Sequence, residues 1–178
     1  RRSSDLEFLS ETSYVKPHRD VVRIADAVRK SSANPGEAVQ KLSHRLRERV
    51  EYLPGVTQVH TLAAEVWEAG AGVCQDIAHL TLGALRHIGI PARYVSGYVV
   101  QSSDPAVGEV QIGESHAWIQ YFDGEWLGYD PTNEAVPSGT HVEVGFGRDY
   151  SDVAPLKGIY TGASGSEMYV SVEMTRLT

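Results

Sequence analysis

Cys74 is the single cysteine of the 178-residue chain. It follows the run Gly70-Ala71-Gly72, where one helical pattern breaks and another begins. In the first turn of a helix, unsatisfied backbone N–H groups and the positive end of the dipole favour a thiolate over a thiol. That placement suits a nucleophile. A lone cysteine is nonetheless most often an inert buried side chain, and a thiolate nucleophile needs a general base held in one tautomer by a third group. His18, His44 and His87 fall on or beside expected helix surfaces, where a solvated side chain is the ordinary outcome. His116 differs: it stands in Glu114-Ser115-His116-Ala117-Trp118-Ile119-Gln120-Tyr121-Phe122, which reaches the hairpin signal Asp123-Gly124 and returns as Glu125-Trp126-Leu127-Gly128-Tyr129-Asp130-Pro131.

Patterning selects a register for this hairpin. A three-residue loop, Phe122-Asp123-Gly124 with Gly124 left-handed, sets His116 opposite Asp130 and gathers His116, Trp118, Gln120, Trp126, Gly128 and Asp130 on one face. Ala117, Ile119, Tyr121, Leu127 and Tyr129 then form the other. A two-residue loop would part His116 from Asp130 and mix Gln120 with Leu127, so the longer loop is preferred. His116 with Asp130 is then a carboxylate-oriented base, Asp130 lying at a strand end in a partly open cleft. The alternative is that Asp130-Pro131-Thr132-Asn133 ends a strand in an Asx-type turn and His116 makes a structural hydrogen bond.

Other segments must position these residues. Residues 1 to 17 read as an extended lead-in reaching Pro17. Val21, Val22, Ile24, Ala25 and Val28 mark a first helix, ended by the turn-forming cluster at 31 to 36. A second is expected from about Glu37 to Tyr52, with Ala38, Val39, Leu42, Leu46 and Val50 at helical spacing, and a short third from a Thr61 cap through Ala69. The helix starting at Cys74 is apolar nearly all round and stops at Gly89-Ile90-Pro91, so it is expected to be buried. From Ala92 the period is two, with strands expected at 92 to 100, 115 to 121, 125 to 130, 141 to 146 and 167 to 175, and a long surface loop at 101 to 114. Helices before strands argue for an α+β domain, the Cys-bearing helix packed on an antiparallel sheet. The length suits one domain over residues 1–178.

These pieces meet a family pattern. Gly72-Val73-Cys74-Gln75-Asp76-Ile77-Ala78-His79, Gly89-Ile90-Pro91-Ala92-Arg93-Tyr94-Val95-Ser96-Gly97-Tyr98, Ser115-His116-Ala117-Trp118 and Asp130-Pro131-Thr132-Asn133 resemble, in order and spacing, the bacterial transglutaminase-like superfamily. The likeness continues through Gly147-Arg148-Asp149-Tyr150 to Pro155 and covers roughly residues 45 to 175. It implies a papain-like core in which Cys74 is the nucleophile, His116 the base and Asp130 its orienter. Members it resembles often carry a β-rich domain ahead of the core, which fits residues 1–17 as the end of an upstream domain. The implied function is thiol-dependent acyl transfer on amide bonds of a peptide or protein substrate, through a thioester resolved by water or an amine. The alternatives are a cysteine peptidase or amidase, and a non-catalytic peptide-binding scaffold with a vestigial triad.

Further expectations are finer. The Cys74 backbone N–H is the cheapest oxyanion donor, with Tyr52 favoured over Trp67 to complete the hole. Gln75 and Trp118 join them as cleft candidates. Asp76 is expected to compensate charge at the helix start and His79 to be a buried hydrogen-bonding residue. Arg148 and Asp149 either rim the cleft or form a structural ion pair. No metal-ligand set and no cofactor site are visible, and no Asp-x-Asp-x-Asp-Gly loop supports calcium binding. Sixteen Lys and Arg against 23 Asp and Glu give a net charge of −7 with no basic cluster, so nucleic acid has no electrostatic support as a partner. No apolar run is long enough to cross a bilayer and no apolar leader follows Arg1-Arg2-Ser3-Ser4, which makes the cytoplasm the expected compartment and a membrane an unexpected partner.

Overall fold

Two amphipathic helices open the main part of the chain in the computed structural model, which describes residues 6–154 and 170–178. Helix α1, Arg19–Ser31, is capped by His18 and buries Val21, Ala25 and Val28. Helix α2, Pro35–Arg47, starts at Asn34, whose side chain accepts from the Glu37 N–H at 2.9 Å, with proline in the first turn where its missing N–H costs nothing. Its buried stripe is Ala38, Val39, Leu42, Ser43 and Leu46. The short α3, Ala63–Ala69, ends at Gly70 in the left-handed region. All three pack on α4, Cys74–His87, which is buried from Asp76 through Arg86.

The other face of α4 lies on a sheet of strands β3, Ala92–Val99, β5, Glu114–Phe122, β6, Trp126–Tyr129, and β7, His141–Gly147. The order is β6-β5-β3-β7 and every pairing is antiparallel. The core is therefore a helical layer over one face of a twisted sheet, with Ile77, Leu80, Leu85, Tyr94, Ala117 and Ile119 at the contact. Gly97 sits at an irregularity of β3, where a Cβ would fall 2.2 Å from the Val142 carbonyl and 2.6 Å from the Trp118 ring. Only glycine lets the Val142 backbone and the Trp118 indole come this close.

Several sequence expectations are corrected. Residues 1–5 lie outside the described residues, and the rest of the lead-in is not an extended strand: Glu7–Leu9 form a 3-10 turn that buries Phe8 edge-on to Trp126 and Phe146. The second helix stops at Arg47, and Glu51–Tyr52 is a strand, β1, parallel to β2, Ala71–Gly72. Here the Arg47 guanidinium takes the Val50 carbonyl, and the Glu51 and Leu53 N–H groups bond to Gly70 and Gly72. Thr61 does not cap α3. Its hydroxyl accepts from the Gln58 N–H, and Glu65 satisfies the Leu62 N–H instead. The expected loop at 101 to 114 contains β4, Val110–Ile112, paired with β8, Glu173–Thr175. Of the strand expected at 167 to 175, residues 167–169 lie outside the described residues.

Candidate active site

The site is built where the start of α4 meets the middle of the sheet. Gly72 leads into the helix, and a Cβ there would lie 2.9 Å from Asp76 and 3.0 Å from Val66. Its absence lets the Asp76 carboxylate fold back, where Oδ2 accepts from the Val73 N–H at 2.8 Å and the Thr57 hydroxyl at 2.6 Å. Asp76 thus closes the helix N-terminus and ties the 53–61 loop to it, and burial holds its carboxyl above the ordinary range despite those two bonds. Cys74 is the first residue of α4, a free and half-buried thiol that packs in part against the core.

His116 comes from β5 to meet it. The imidazole lies within electrostatic reach of the Cys74 side chain, while its Nε2 donates to Asp130 Oδ2 at 2.7 Å. Because Nε2 is engaged with the carboxylate, Nδ1 is the nitrogen left for the thiol. Burial pushes His116 down, but the Asp130 hydrogen bond and the nearby Asp130 and Cys74 groups outweigh it and raise the group to about 9. Burial pushes Asp130 up, yet the bond and charge of His116, with the Asn133 and His141 side chains, lower it to about 2. An imidazolium held between a carboxylate and a sulfur follows.

The hairpin has the expected faces in a different register. Phe122 pairs with Trp126 and Gln120 with Gly128, so the three-residue loop is 123 to 125, with Gly124 at φ +81°. The shift is two residues, which preserves which side chains share a face. Asp130 is therefore not directly across from His116 and reaches it diagonally. Its backbone leaves the sheet to pair with Ala135, and the carboxylate is fully buried, where the sequence suggested a partly open cleft. Asp130 also forms the Asx turn weighed as its alternative, Oδ1 accepting from the Thr132 and Asn133 N–H groups at 2.9 and 3.2 Å, so one side chain does both.

A cleft of about 360 Å³ opens beside His116, lined by Arg47, Tyr52, Val99, Glu114, Thr132 and Asn133 among others. Tyr52 is 45% exposed on its wall; partial burial, then the charges of Cys74 and Glu114, hold its phenol above its ordinary value. Trp67 is buried in the α3 core with the Arg49 guanidinium 4.7 Å over its ring, and does not line the cleft. Gln75 donates its amide to the Val59 carbonyl at 3.0 Å, a second tie on the 53–61 loop. Trp118 is buried and stacked on His116, ring centres 6.1 Å apart. A groove of about 440 Å³ between α1 and α2 is larger but has no nucleophile beside a base.

Two further expectations are settled by placement. His79 is fully buried between the Tyr14 and Tyr94 rings, accepts from the Tyr150 N–H at 3.1 Å, and is pushed by burial to about 4, so it is a neutral packing residue. Arg148 and Asp149 do not pair with each other: Arg148 forks onto Asp152 at 2.9 Å through both nitrogens, and buried Asp149 accepts from Ser151. The residue that sequence reasoning missed is His141, whose Nε2 lies 3.2 Å from the same Asp130 oxygen. The alternation of His141-Val142-Glu143-Val144 groups it with Glu143, away from the apolar valines, and its neighbour is set by pairing with distant β3. His116, Asp130 and His141 offer ligand atoms all within 4.8 Å of one another, the one such group among the described residues that could hold a metal ion, and one the sequence did not reveal. Asp130 Oδ2 already faces three N–H groups there.

Known proteins resemble the chain in sequence and in fold. An uncharacterized protein of Mycobacterium leprae is 44% identical over 171 residues, 96% of this chain and 61% of its own length. The protein-glutamine gamma-glutamyltransferase of Pseudomonas aeruginosa is 31% identical over 121 residues, 64% of this chain but 18% of that one. Among solved structures, a cysteine-protease candidate from Cytophaga hutchinsonii superposes with a TM-score of 0.78 at 27% identity, covering 98% of this chain and 57% of that one. The periplasmic domain of TgpA from Pseudomonas aeruginosa, solved with ethylmercury, gives 0.55 at 27% identity over 74% of this chain and 49% of its own. The chain thus spans about three-fifths of the length of the Mycobacterium leprae relative. The profile of the transglutaminase-like superfamily matches residues 22–131, and with the papain-like arrangement of helix and sheet it shows that the chain belongs to that superfamily.

Proposed function

We propose that the protein is a thiol-dependent acyl-transfer enzyme acting on amide groups of peptide or protein substrates. The observation that carries the reading is His116, hydrogen-bonded to buried Asp130, on the wall of a cleft and within electrostatic reach of Cys74 at a helix start. The Cys74 sulfur attacks the amide carbonyl carbon, and the electron pair moves onto the oxygen, which the first-turn N–H groups of α4 face. Tyr52 is the proposed side-chain donor to that oxygen. As the C–N bond breaks, the His116 imidazolium gives its Nδ1 proton to the leaving amine, and a thioester remains. Water or a primary amine then attacks the thioester, passing its proton to His116 as the Cys74 thiolate is released, which restores the starting ion pair. Asp130 keeps the imidazole in orientation throughout.

The glutamyltransferase likeness favours an amine as acceptor, and the cysteine-protease likeness favours water. The test is to incubate the protein with a peptide library, with and without a primary amine donor, and to weigh the products. Hydrolysed or amine-linked peptides that vanish with Cys74→Ala are expected; no product, or the same products from Cys74→Ala, would contradict the reading.

A further inference from the structure

We propose that His141 is a positioning residue of this site, a second imidazole that fixes the Asp130 carboxylate for His116; the proposal rests on the acyl-transfer reading above. His141 is the first residue of β7 and pairs across the sheet with Val99. Its Nε2 reaches Asp130 Oδ2 at 3.2 Å, the oxygen that His116 Nε2 meets at 2.7 Å and the Asn133 amide at 2.7 Å.

The tautomer follows from the other ring nitrogen. The Ser138 backbone N–H, which can only donate, lies 3.4 Å from His141 Nδ1, and the Thr140 hydroxyl lies 3.3 Å away. Nδ1 is thus the acceptor, so neutral His141 carries its proton on Nε2 and aims it at Asp130. The ring is 11% exposed and stands edge-on to Trp118, centres 5.2 Å apart at 88°. Trp118 stacks on His116 with its own ring at 27°. One indole therefore sets both imidazoles around one carboxylate oxygen.

A carboxylate turns easily about its last torsion, which is broad and two-fold. The turn N–H groups pin Oδ1 of Asp130, and side chains pin Oδ2 from three directions. His141 supplies the direction that comes from a different strand, so it holds the oxygen at the height of the sheet where His116 needs it. Strand pairing alone, which is made by the backbone, does not call for an imidazole here.

The test is the rate of iodoacetamide alkylation of Cys74 at a fixed pH near neutrality, with the melting temperature, for the parent chain, His141→Leu and His141→Gln. The leucine variant is expected to react about tenfold more slowly, the size of losing one hydrogen bond to a charged group. The glutamine variant, whose amide nitrogen can stand where Nε2 stands, is expected to recover to within about threefold of the parent while melting like the leucine variant. If His141→Leu unfolds below the assay temperature, His141→Asn, whose shorter amide stops short of Asp130, takes its place with the same expected loss. On a peptide substrate from the product screen, kcat falls and KM stays. Equal rates in all variants, a faster leucine variant, or equal losses in leucine and glutamine overturn the proposal. A parent chain that alkylates no faster than His116→Ala overturns the acyl-transfer reading itself, so the two failures are distinguishable.

Discussion

At the scale of single residues, Asp130 carries the most. It accepts from His116, His141, Asn133 and two turn N–H groups while fully buried. Removing a buried anion with so many donors strands each of them. Asp130→Ala is therefore expected to lower turnover by about 10² to 10⁴ and also stability by ~2–4 kcal/mol, read from kinetics and denaturant midpoints. Asp130→Asn keeps the shape and is expected to restore part of the stability and little of the rate; full activity in either variant would show that another group orients His116. The places of Cys74, His116 and Asp130 in the fold were legible because each sits in a local signal: a glycine-broken helix start, a hairpin strand, and an Asp-Pro strand end. His141 was not, because an eight-residue strand far off in sequence brings it in.

At the scale of elements, α4 is the part on which everything else is hung. Arg86, buried near its end, donates to the Ala92 carbonyl twice and to the Ser10 and Arg148 carbonyls, tying the helix to β3, the lead-in and the turn after β7. Gly83 lies under the lead-in so closely that a Cβ would fall 2.0 Å from the Val15 carbonyl. Gly83→Ala must push that backbone away, a cost of about 1–3 kcal/mol that outweighs any gain in helix propensity. A lower melting temperature with earlier proteolytic cleavage near residues 10–17 is the expected result, and an unchanged or raised one would mean that the contact is loose. The buried helix and the hairpin faces were readable from period and composition. The hairpin register was missed by two residues because parity cannot distinguish loops of 122–124 and 123–125. The pairings β1 with β2 and β4 with β8 were missed because two or three residues carry no periodic signal.

At the scale of the whole molecule, the site couples folding to pH. His116 rises from 6.5 to about 9, so its protonated form contributes stability fully below pH 6.5, and that contribution is lost as pH rises through about 9. Asp130 falls from 3.8 to about 2, so its contribution is present above pH 3.8 and lost as pH falls through about 2. Melting temperatures of the parent and His116→Gln should differ most between those unfolded values, and the gap should close towards pH 10; a gap independent of pH would contradict the charged pair. The α+β arrangement of helices over an antiparallel sheet was legible in the whole sequence, because the switch of period at Ala92 separates the two layers. Among the described residues, no helix is long and apolar enough to cross a membrane.

The central claim is that His116 activates Cys74, and the alkylation rate of that thiol tests it without knowledge of the substrate. Iodoacetamide modification of the folded chain at pH 6.5, followed by mass, is expected to be faster than in His116→Ala by about 30-fold or more. Equal rates in the two proteins, with both still folded, would contradict the account.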